Sequence, residues 1–335
     1  MEELPGQISG QSWRDWCSRD LIAGDRLECM GVITGRRAQR LFVLPGKAED
    51  RVRQGSGWLA LLVVWVVWGS TYLGIRVAIE GLPPVLMAGV RFALAGLIMF
   101  PFAVRGARPG RTQWASCAVA GTLMLGGNAA LCVAERTVPT GLASLLIATV
   151  PLWLLAFDAA VNRVRPGTMA VAGLLVGLAG MGVLSGSAGG SVSVAGVVIC
   201  LCAAASWALG TILTRRLPMP ANPALGSAME MLTAGFVLCV VAGAGGEVGS
   251  LHLGAVQGRS WLAFGYLIAV GSIVGFSAYV VAVRKLPTST VSTYAYVNPV
   301  IAVLLGTTFL GEHLSWRMLV GGVLVVGAVA LVVRR

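Results

Sequence analysis

Ten apolar stretches of about 20 residues follow one another along most of the chain. That is the length at which an α-helix crosses the roughly 30 Å hydrocarbon core of a bilayer. With 56% hydrophobic and only 12% charged residues, the chain also lacks the charge to cover a soluble domain. The sequence therefore predicts an all-α polytopic protein of the cell (plasma or inner) membrane. The ten predicted spans are 58–78, 84–104, 114–133, 139–160, 168–186, 192–213, 223–243, 261–281, 288–310 and 316–333.

The basic residues of the connections predict the orientation of the chain. If the N-terminus is cytoplasmic, eleven Lys/Arg flank the cytoplasmic ends of the spans and four flank the outer ends. Cytoplasmic loops carry such an excess of basic residues, so we expect both termini in the cytoplasm. The eleven are Arg105, Arg108, Arg111, Arg163, Arg165, Arg215, Arg216, Arg284, Lys285, Arg334 and Arg335, and the four are Arg76, Arg136, Arg259 and Arg317.

The net charge of +11 does not predict nucleic-acid binding. Residues 1–57 hold nine basic and eight acidic residues, which nearly cancel. The other cations lie mostly in short connections, where they set membrane orientation. We interpret residues 1–57 as a cytoplasmic tail that is disordered or that precedes the true start, with Met30 as a shorter start.

Two proline-flanked segments repeat at a spacing of 148 residues. PTGLASLLIATVP (139–151) and PTSTVSTYAYVNP (287–299) both begin with Pro-Thr and place a second proline inside an apolar helix. A proline there removes an intrahelical hydrogen bond, so Pro151 and Pro299 are predicted to kink spans 4 and 9. Helices interrupted at matching places in two halves point to the substrate site of a transporter.

Other residues repeat between the same halves. Because five spans are an odd number, two five-span units must cross the membrane in opposite directions. The sequence thus predicts an inverted repeat, with units at 58–186 and 192–335 and a shared site at the bilayer midplane. The Gly/Ser linker at 186–193 is the expected seam. The matched pairs are Trp68 with Trp207, Arg91 with Glu230 and Gly96 with Gly235, all 139 apart, and Gly127 with Gly275, 148 apart.

This layout resembles the EamA-type members of the drug/metabolite transporter superfamily. The likeness is carried by WGSTYLGIR at 68–76, PPVLMAGVRF at 83–92 and YVNPVIAVLLGTTFLGEHLS at 296–315. It covers about residues 58–335. The resemblance implies ten helices and alternating-access transport of small metabolites, often amino acids and commonly in the direction of export.

Span 1 places Trp65, Trp68 and Tyr72 on one helical face, since they occupy positions i, i+3 and i+7. The two tryptophans lie too deep for an interfacial aromatic belt. They therefore line a cavity or pack against neighbouring helices, and both interpretations stay open. In a cavity, their rings would bind apolar or aromatic parts of a substrate, or a cation.

Arg91 and Glu230 are the two charges predicted well inside spans. A charge near the bilayer centre costs at least about 2.5 kcal/mol, so it usually faces a cavity or a partner. We interpret Arg91 as a candidate ligand for a carboxylate or phosphate, and Glu230 as the candidate ion-coupling or amine-binding group. The alternatives are that Arg91 snorkels to the interface and that Glu230 bonds a neighbouring helix.

The interrupted helices add polar candidates, and the matching spans 3 and 8 add two more. Serine and threonine hydroxyls in such helices can instead bond their own backbone. The candidate substrate-binding residues are Trp65, Trp68, Tyr72, Arg91, Asn128, Tyr279, Tyr294, Tyr296 and Asn298. The hydroxyl residues of the interrupted helices are Thr140, Ser144, Thr149, Ser292 and Thr293.

The sequence contains none of the motifs expected of a metal, nucleotide or nucleophile site. We therefore expect no cofactor, no metal and no enzyme activity. Glu312 and His313 follow span 9, where a capping role is expected rather than a site. GxxxG spacings at 173–177 and 271–275 allow close helix packing, within one chain or in a homodimer.

The leading functional hypothesis is a secondary-active exporter of small metabolites such as amino acids, with H⁺ as a candidate coupling ion. A nucleotide-sugar or sugar-phosphate antiporter is the first alternative, although such cargo would call for more cavity cations than Arg91. An intramembrane enzyme would need paired acids or a Ser/His dyad within the spans. A non-transporting scaffold or receptor would lack a central cavity lined by both halves.

Overall fold

The computed structural model describes residues 47–105, 108–162, 168–185, 193–286, 288–291 and 293–333, and it is all-helical over them. Of the first compact unit, Met1–Val52, only residues 47–52 are described, and they are helical. The rest of the predicted tail and linker residues 186–192 lie outside the described residues. All contacts given below belong to the second unit, Arg53–Arg335.

Fourteen α-helices, one 3₁₀ turn and one π-helix follow one another in these residues. They are α1 (Lys47–Ala78), α2 (Pro84–Ala103), α3 (Arg111–Ala134), α4 (Thr140–Ile147), α5 (Val150–Asn162), α6 (Thr168–Ser185), α7 (Val194–Thr214), α8 (Pro223–Ala244), α9 (Glu247–Ser250), the 3₁₀ turn Leu253–Ala255, α10 (Gly258–Tyr266), the π-helix Leu267–Val274, α11 (Gly275–Lys285), α12 (Thr288–Val291), α13 (Tyr294–Leu310) and α14 (Trp316–Val333).

Seven helical segments among the described residues are long and apolar enough to cross a membrane. Three shorter apolar helices accompany them, so each of the ten predicted spans overlaps an apolar helix. The seven are Gly55–Ala78, Pro84–Ala103, Arg111–Ala134, Thr140–Ala160, Val194–Thr214, Pro223–Ala244 and Gly258–Lys285, and the three are Val171–Gly180, Val297–Leu310 and Trp316–Leu331.

The helix surfaces carry large apolar side chains outward. Leu97, Phe102 and Phe236 are each more than 60% exposed, whereas Arg91 and Glu230 are buried. This distribution reverses the usual one, in which charged side chains are almost never buried unless they are paired. It fits a protein whose surroundings are hydrocarbon.

Spans 4 and 9 are both interrupted, but at different distances from their prolines. α4 ends at Ile147 and α5 begins at Val150, so that break comes directly before Pro151. In span 9 the helix is interrupted ahead of Tyr294, and α13 then continues through Pro299. A proline cannot donate the backbone hydrogen bond of its own turn, which weakens both helices locally.

Span 8 contains a feature that the sequence did not predict. α10 and α11 are joined by the π-helix, so that one continuous rod runs from Gly258 to Lys285. A π-helical stretch is rare and frequently lies at a functional site. Here it carries Gly271 and packs against α2.

α2 and α8 approach one another closely at two matched glycines. A Cβ atom on Gly96 would lie 2.7 Å from the Leu232 nitrogen, and one on Gly235 would clash with the Ala93 nitrogen. Ala93 thus pairs with Gly235, and Gly96, later in α2, pairs with Leu232, which comes earlier in α8. The two helices run antiparallel, and glycine is needed where they cross because any side chain would meet backbone.

This contact is reciprocal. Gly235 follows Gly96 by 139 positions, and Leu232 follows Ala93 by the same number. Each helix thus uses the same surface to bind the other, which is the property of a contact with twofold symmetry.

The connections gather into two groups at opposite ends of the helices. At one end, Lys285 donates to the Ser56 hydroxyl (2.6 Å), and Asn222 donates to the Ala103 carbonyl (3.0 Å) and accepts from Arg284 (3.0 Å). These residues belong to the connections predicted to be cytoplasmic. We call this the Asn222 end.

The opposite end joins the connections predicted to face outward. Ser260 donates to the Val77 carbonyl (2.9 Å), and the Leu86 nitrogen donates to a carboxylate oxygen of Glu247 (2.7 Å). We call this the Glu247 end. The separation into two groups is the one that consecutive membrane crossings require.

Gly235→Ala should destabilise the protein by about 1–3 kcal/mol, because the added methyl group forces α2 and α8 apart. Gly243→Ala on the same helix is the matched control, since a Cβ there meets no atom within 4 Å. Thermal unfolding in detergent, followed by size-exclusion chromatography, compares the two. Equal melting temperatures would contradict the close contact.

Candidate functional site

A central cavity of about 100 Å³ is lined by residues from both halves of the sequence. α1 to α5 contribute from the first half, and α7, α11 and α13 contribute from the second. Six of the nine predicted substrate-binding residues line it, namely Trp68, Tyr72, Arg91, Asn128, Tyr294 and Asn298.

A second cavity of about 300 Å³ extends toward the Asn222 end. It is lined by Glu230 and Tyr279 and reaches Pro220 in the connection between α7 and α8 and Pro223 at the start of α8. The two cavities share part of their walls. Trp68, Val150, Trp207, Phe276 and Tyr294 line both.

Arg91 is the cation of the central cavity. Its side chain is 3% exposed, and its Nε donates to the Ser272 hydroxyl at 2.9 Å. Its Nη1 is buried and has no hydrogen-bond partner. The described contacts include no carboxylate ion pair for this guanidinium, and Arg91 does not snorkel. A buried charge without a hydrogen-bonded counter-charge costs free energy unless a ligand pairs with it.

Asn128 supplies an unpartnered acceptor in the same cavity. Its Oδ1 is buried without a hydrogen-bond partner. The Asn298 amide differs, because its nitrogen donates to the backbone carbonyls of Tyr294 and Trp65 at 3.2 Å each. The hydroxyls of Ser144 and Thr149 donate to carbonyls of their own helices. Among the fully buried polar atoms of this cavity, the Arg91 Nη1 and the Asn128 Oδ1 are the two without a described hydrogen-bond partner.

Trp68 lies at the centre of an aromatic cluster between the cavities. We call Trp68, Phe276, Tyr279 and Tyr294 the Trp68 cluster. Its ring stacks on Tyr279 at 5.2 Å between centroids and meets Phe276 (5.3 Å) and Tyr294 (5.4 Å) edge to face. A Cβ on Gly275 would come within 2.5 Å of the Trp68 Nε1, so that glycine makes room for the indole. Trp68, Phe276 and Tyr294 of this cluster line both cavities.

Three other candidates, Trp65, Tyr279 and Glu230, are absent from the described lining of the central cavity. Trp65 is absent from the described lining of both cavities and packs against a buried cluster that includes Leu61 and Leu286. Glu230 and Tyr279 line the second cavity rather than the central one. The side chain of Tyr296 lies outside the described residues, as does Ser292.

Glu312, for which the sequence predicted a capping role, belongs to a polar cluster at the Glu247 end that the sequence analysis did not bring together. Glu312 accepts hydrogen bonds from the backbone nitrogens of Thr140 (2.6 Å) and Gly141 (2.9 Å), and so caps α4. Arg76 donates through Nη1 to the backbone carbonyl of Glu135. We call Arg76, Glu135, Thr140 and Glu312 the outer cluster. The four residues come from three separate parts of the chain, namely the end of α1, the stretch from the end of α3 to the start of α4, and the residues after α13. No local motif could therefore reveal the cluster.

Glu135 is the least expected member of this cluster. Its side chain is 0% exposed, and neither carboxylate oxygen has a hydrogen-bond partner. Burial raises the pKa of Glu135 well above its ordinary value, the Glu312 carboxylate raises it further, and the Arg76 guanidinium lowers it. Burial is the largest of these effects, so it favours the neutral form of Glu135 in this conformation.

The profile of the EamA-like transporter family matches residues 55–186 and again residues 194–334. The chain belongs to the EamA-like transporter family. It is therefore a multi-pass membrane transporter of the drug/metabolite transporter superfamily, as the resemblance in its motifs implied.

Named relatives agree with this assignment. The chain is 39% identical to the "Uncharacterized inner membrane transporter YedA" of Escherichia coli (strain K12), over 76% of this chain and 83% of that protein. It is 30% identical to a "Probable amino-acid metabolite efflux pump" of Salmonella typhimurium, over 81% of this chain and 92% of that protein. These names describe transporters rather than enzymes.

A solved crystal structure shares the fold of this EamA-family chain. The two align with a TM-score of 0.58 over 83% of this chain and 96% of that one. Their sequence identity is 21%, so the likeness concerns the fold alone.

Glu312→Ala should destabilise the transporter by about 1.5–3 kcal/mol, because two backbone nitrogens of α4 lose a charged acceptor. Glu80→Ala is the matched control, since Glu80 forms an exposed ion pair with Arg259 (2.8 Å) worth at most about 1 kcal/mol. Melting temperatures in detergent measure both. The cap assignment fails if Glu312→Ala melts with the control.

Proposed function

We propose that this transporter exports amino acids or closely related small carboxylated metabolites by alternating access. The observation that carries the proposal is the buried Nη1 of Arg91, which lines the central cavity and has no partner among the residues that the structure describes. A guanidinium binds a carboxylate through charged, often paired, hydrogen bonds. A carboxylate ligand would satisfy the one charge that the described cavity leaves open.

The rest of the cavity fits the remainder of an amino acid. The Asn128 Oδ1 can accept a hydrogen bond from an ammonium group. The Trp68 and Tyr294 rings offer apolar surface to the side chain, and Trp68 could also bind a cation through its face. A relative named as a probable amino-acid metabolite efflux pump supports both the cargo class and the direction.

We further propose that the fold is a pair of inverted five-helix repeats with ten spans and both termini in the cytoplasm. The reciprocal antiparallel contact between α2 and α8 supports it. A second reciprocal pair does so as well, since Gly127 lies against the backbone of Ala203 and Trp207, and Gly275 lies against Trp68. The two family matches support units at 58–186 and 192–335.

Alternating access is proposed from the two cavities. The second cavity reaches the Asn222 end, which positive charge assigns to the cytoplasm, and the Trp68 cluster separates it from the central cavity. Movement of this cluster would admit cargo from the cytoplasm. Glu230 lines the entrance and remains the candidate that binds H⁺ or the cargo's ammonium group on its way in.

Homodimer formation is not needed to explain the GxxxG glycines. Gly177 packs against Leu152, and Gly271 packs against Thr71, so these glycines serve contacts within the chain. We therefore propose the single chain with its bilayer as the transporting unit.

Arg91→Gln should reduce export at least tenfold, because a hydrogen bond to a charged group is worth about 1.5–3 kcal/mol. Arg259→Gln is the matched control, because that arginine is 62% exposed and forms a surface ion pair. Cells that express each variant at equal membrane level are compared by untargeted analysis of metabolites inside the cells and in the medium. The wild type and the control should enrich the medium in the same amino acids.

The outcome also separates the cargo classes. Enrichment of phosphorylated sugars or nucleotide sugars instead of amino acids would replace the proposed cargo by that of the antiporter alternative. An unchanged profile in every strain would contradict export of either class. Full export by Arg91→Gln would remove the role assigned to Arg91.

A further inference from the structure

The outer cluster contains a carboxyl group that the proposed cargo site does not use. Glu135 follows the last residue of α3, where it is completely buried with both carboxylate oxygens unpartnered. The hydroxyl of Thr140 is likewise buried without a partner. The cluster thus holds unsatisfied oxygen atoms from two separate elements, which a small cation would satisfy.

The charges of the cluster do not balance when both carboxyl groups are ionised. The one guanidinium, that of Arg76, donates to the backbone carbonyl of Glu135 rather than to its carboxylate. The carboxylate of Glu312 is already bonded to two backbone nitrogens of α4. One negative charge therefore stays unmatched, and it is the buried one.

The other titratable groups near Glu135 do not supply the missing positive charge. Tyr72 of α1, Cys132 of α3 and Cys200 of α7 interact with it electrostatically, and none of these can become cationic. The groups that set its protonation are therefore Arg76 and Glu312.

We infer that Glu135 is a proton-binding site of this transporter, occupied while the Glu247 end is closed and emptied when that end opens to water. The step at which the site empties rests on the proposed alternating access. No other ion is as well matched, because hard metal cations take about six or more oxygen ligands. The cluster has only the two Glu135 oxygens and the Thr140 hydroxyl to offer.

The direction of the coupling follows from burial. In the closed conformation burial favours the neutral acid, so closing the Glu247 end takes up one proton. Opening exposes Glu135 to water, which returns it toward the ordinary behaviour of a glutamate, and the proton leaves on that side. Low pH outside the cell therefore favours the closed end, and high pH favours the open one.

The test measures the proton directly. The full chain is reconstituted in lipid vesicles, and the infrared absorption of protonated carboxyl groups is followed between about pH 5 and pH 9. Wild type should retain a protonated carboxyl group at pH 7, where an exposed glutamate with a pKa near 4.3 is ionised. Glu135→Gln should remove the contribution of Glu135 to this signal, and Glu80→Gln, which alters an exposed carboxylate at the same end, should leave the signal unchanged.

Two neighbouring variants keep the test decisive if Glu135→Gln does not fold. Glu312→Gln removes a negative neighbour while keeping one acceptor oxygen, so the midpoint of the signal should fall by about one pH unit. Arg76→Gln removes a positive neighbour, so the midpoint should rise by about as much. A signal from Glu230 would respond to neither change, because Glu230 lies on the second cavity.

Several results would overturn the inference. These are no protonated carboxyl group in the wild type at pH 7, a signal at pH 7 that Glu135→Gln does not reduce, and shifts of the same sign in the two neighbouring variants. A signal that follows replacement of sodium chloride by choline chloride at constant pH would assign the site to Na⁺ instead.

This experiment is independent of the cargo. If the infrared signal behaves as expected and no amino acid is exported, the proton site stands and the proposed function fails. If export is found and the signal is absent, the proposed function stands and the proton site fails.

Discussion

The close approach of α2 and α8 is the contact on which the centre of this protein depends. Helices in a bilayer gain little from hydrophobic burial, since lipid tails are as apolar as the helices, so their association relies on tight packing at small residues. Gly96 and Gly235 supply that packing from opposite helices. On α3, a Cβ at Gly121 would lie 2.7 Å from the Glu230 carbonyl, so three helices meet through glycine. The two intramembrane charges lie on the helices that are held this way.

The central cavity is defined as much by polar groups that are satisfied as by those that are not. The Ser144 hydroxyl and the Asn298 amide nitrogen form their hydrogen bonds with nearby backbone carbonyls, which leaves them less to offer a ligand. The Arg91 Nη1 and the Asn128 Oδ1, in the same cavity, have no described hydrogen-bond partner. A cavity that is apolar except for a few open polar atoms recognises a ligand by where those atoms lie. The distribution of hydrogen bonds therefore restricts which ligands fit the proposed site more narrowly than the identities of the lining residues do.

Much of this arrangement could be predicted from the sequence, because it follows from the length of the apolar stretches and from the internal repeat. Apolar length predicted the spans, and internal repeats predicted that Arg91, Trp68 and Tyr294 would come near one another. Where the sequence left cavity lining and helix packing both open, side-chain packing decided the outcome. Trp65 shares a helical face with Trp68 yet packs in a separate cluster, because α11 and α12 cover that part of α1. Predicted tail residues 47–57 are helical, since Lys, Ala, Glu, Arg and Gln all favour a helix.

The features that sequence analysis missed share a different cause. Glu135 and Glu312 are 177 positions apart in the chain, and each follows a helix end in an unremarkable connection. Only the fold brings them together. The π-helix likewise has no signal in the apolar pattern, because a π-helical run and an α-helical run use the same residues.

The π-helix joins two parts of the protein that would otherwise be independent. Ser272 within it accepts the hydrogen bond from Arg91, and Gly275 at its end accommodates the Trp68 indole. Because π-turns and α-turns differ in residues per turn, a return to α-helical winding would rotate Ser272 and Gly275 together. Under the proposed function, carboxylate binding at Arg91 and passage past Trp68 would then change together. The winding of this one helical turn would therefore affect both the selectivity and the rate of the proposed transport.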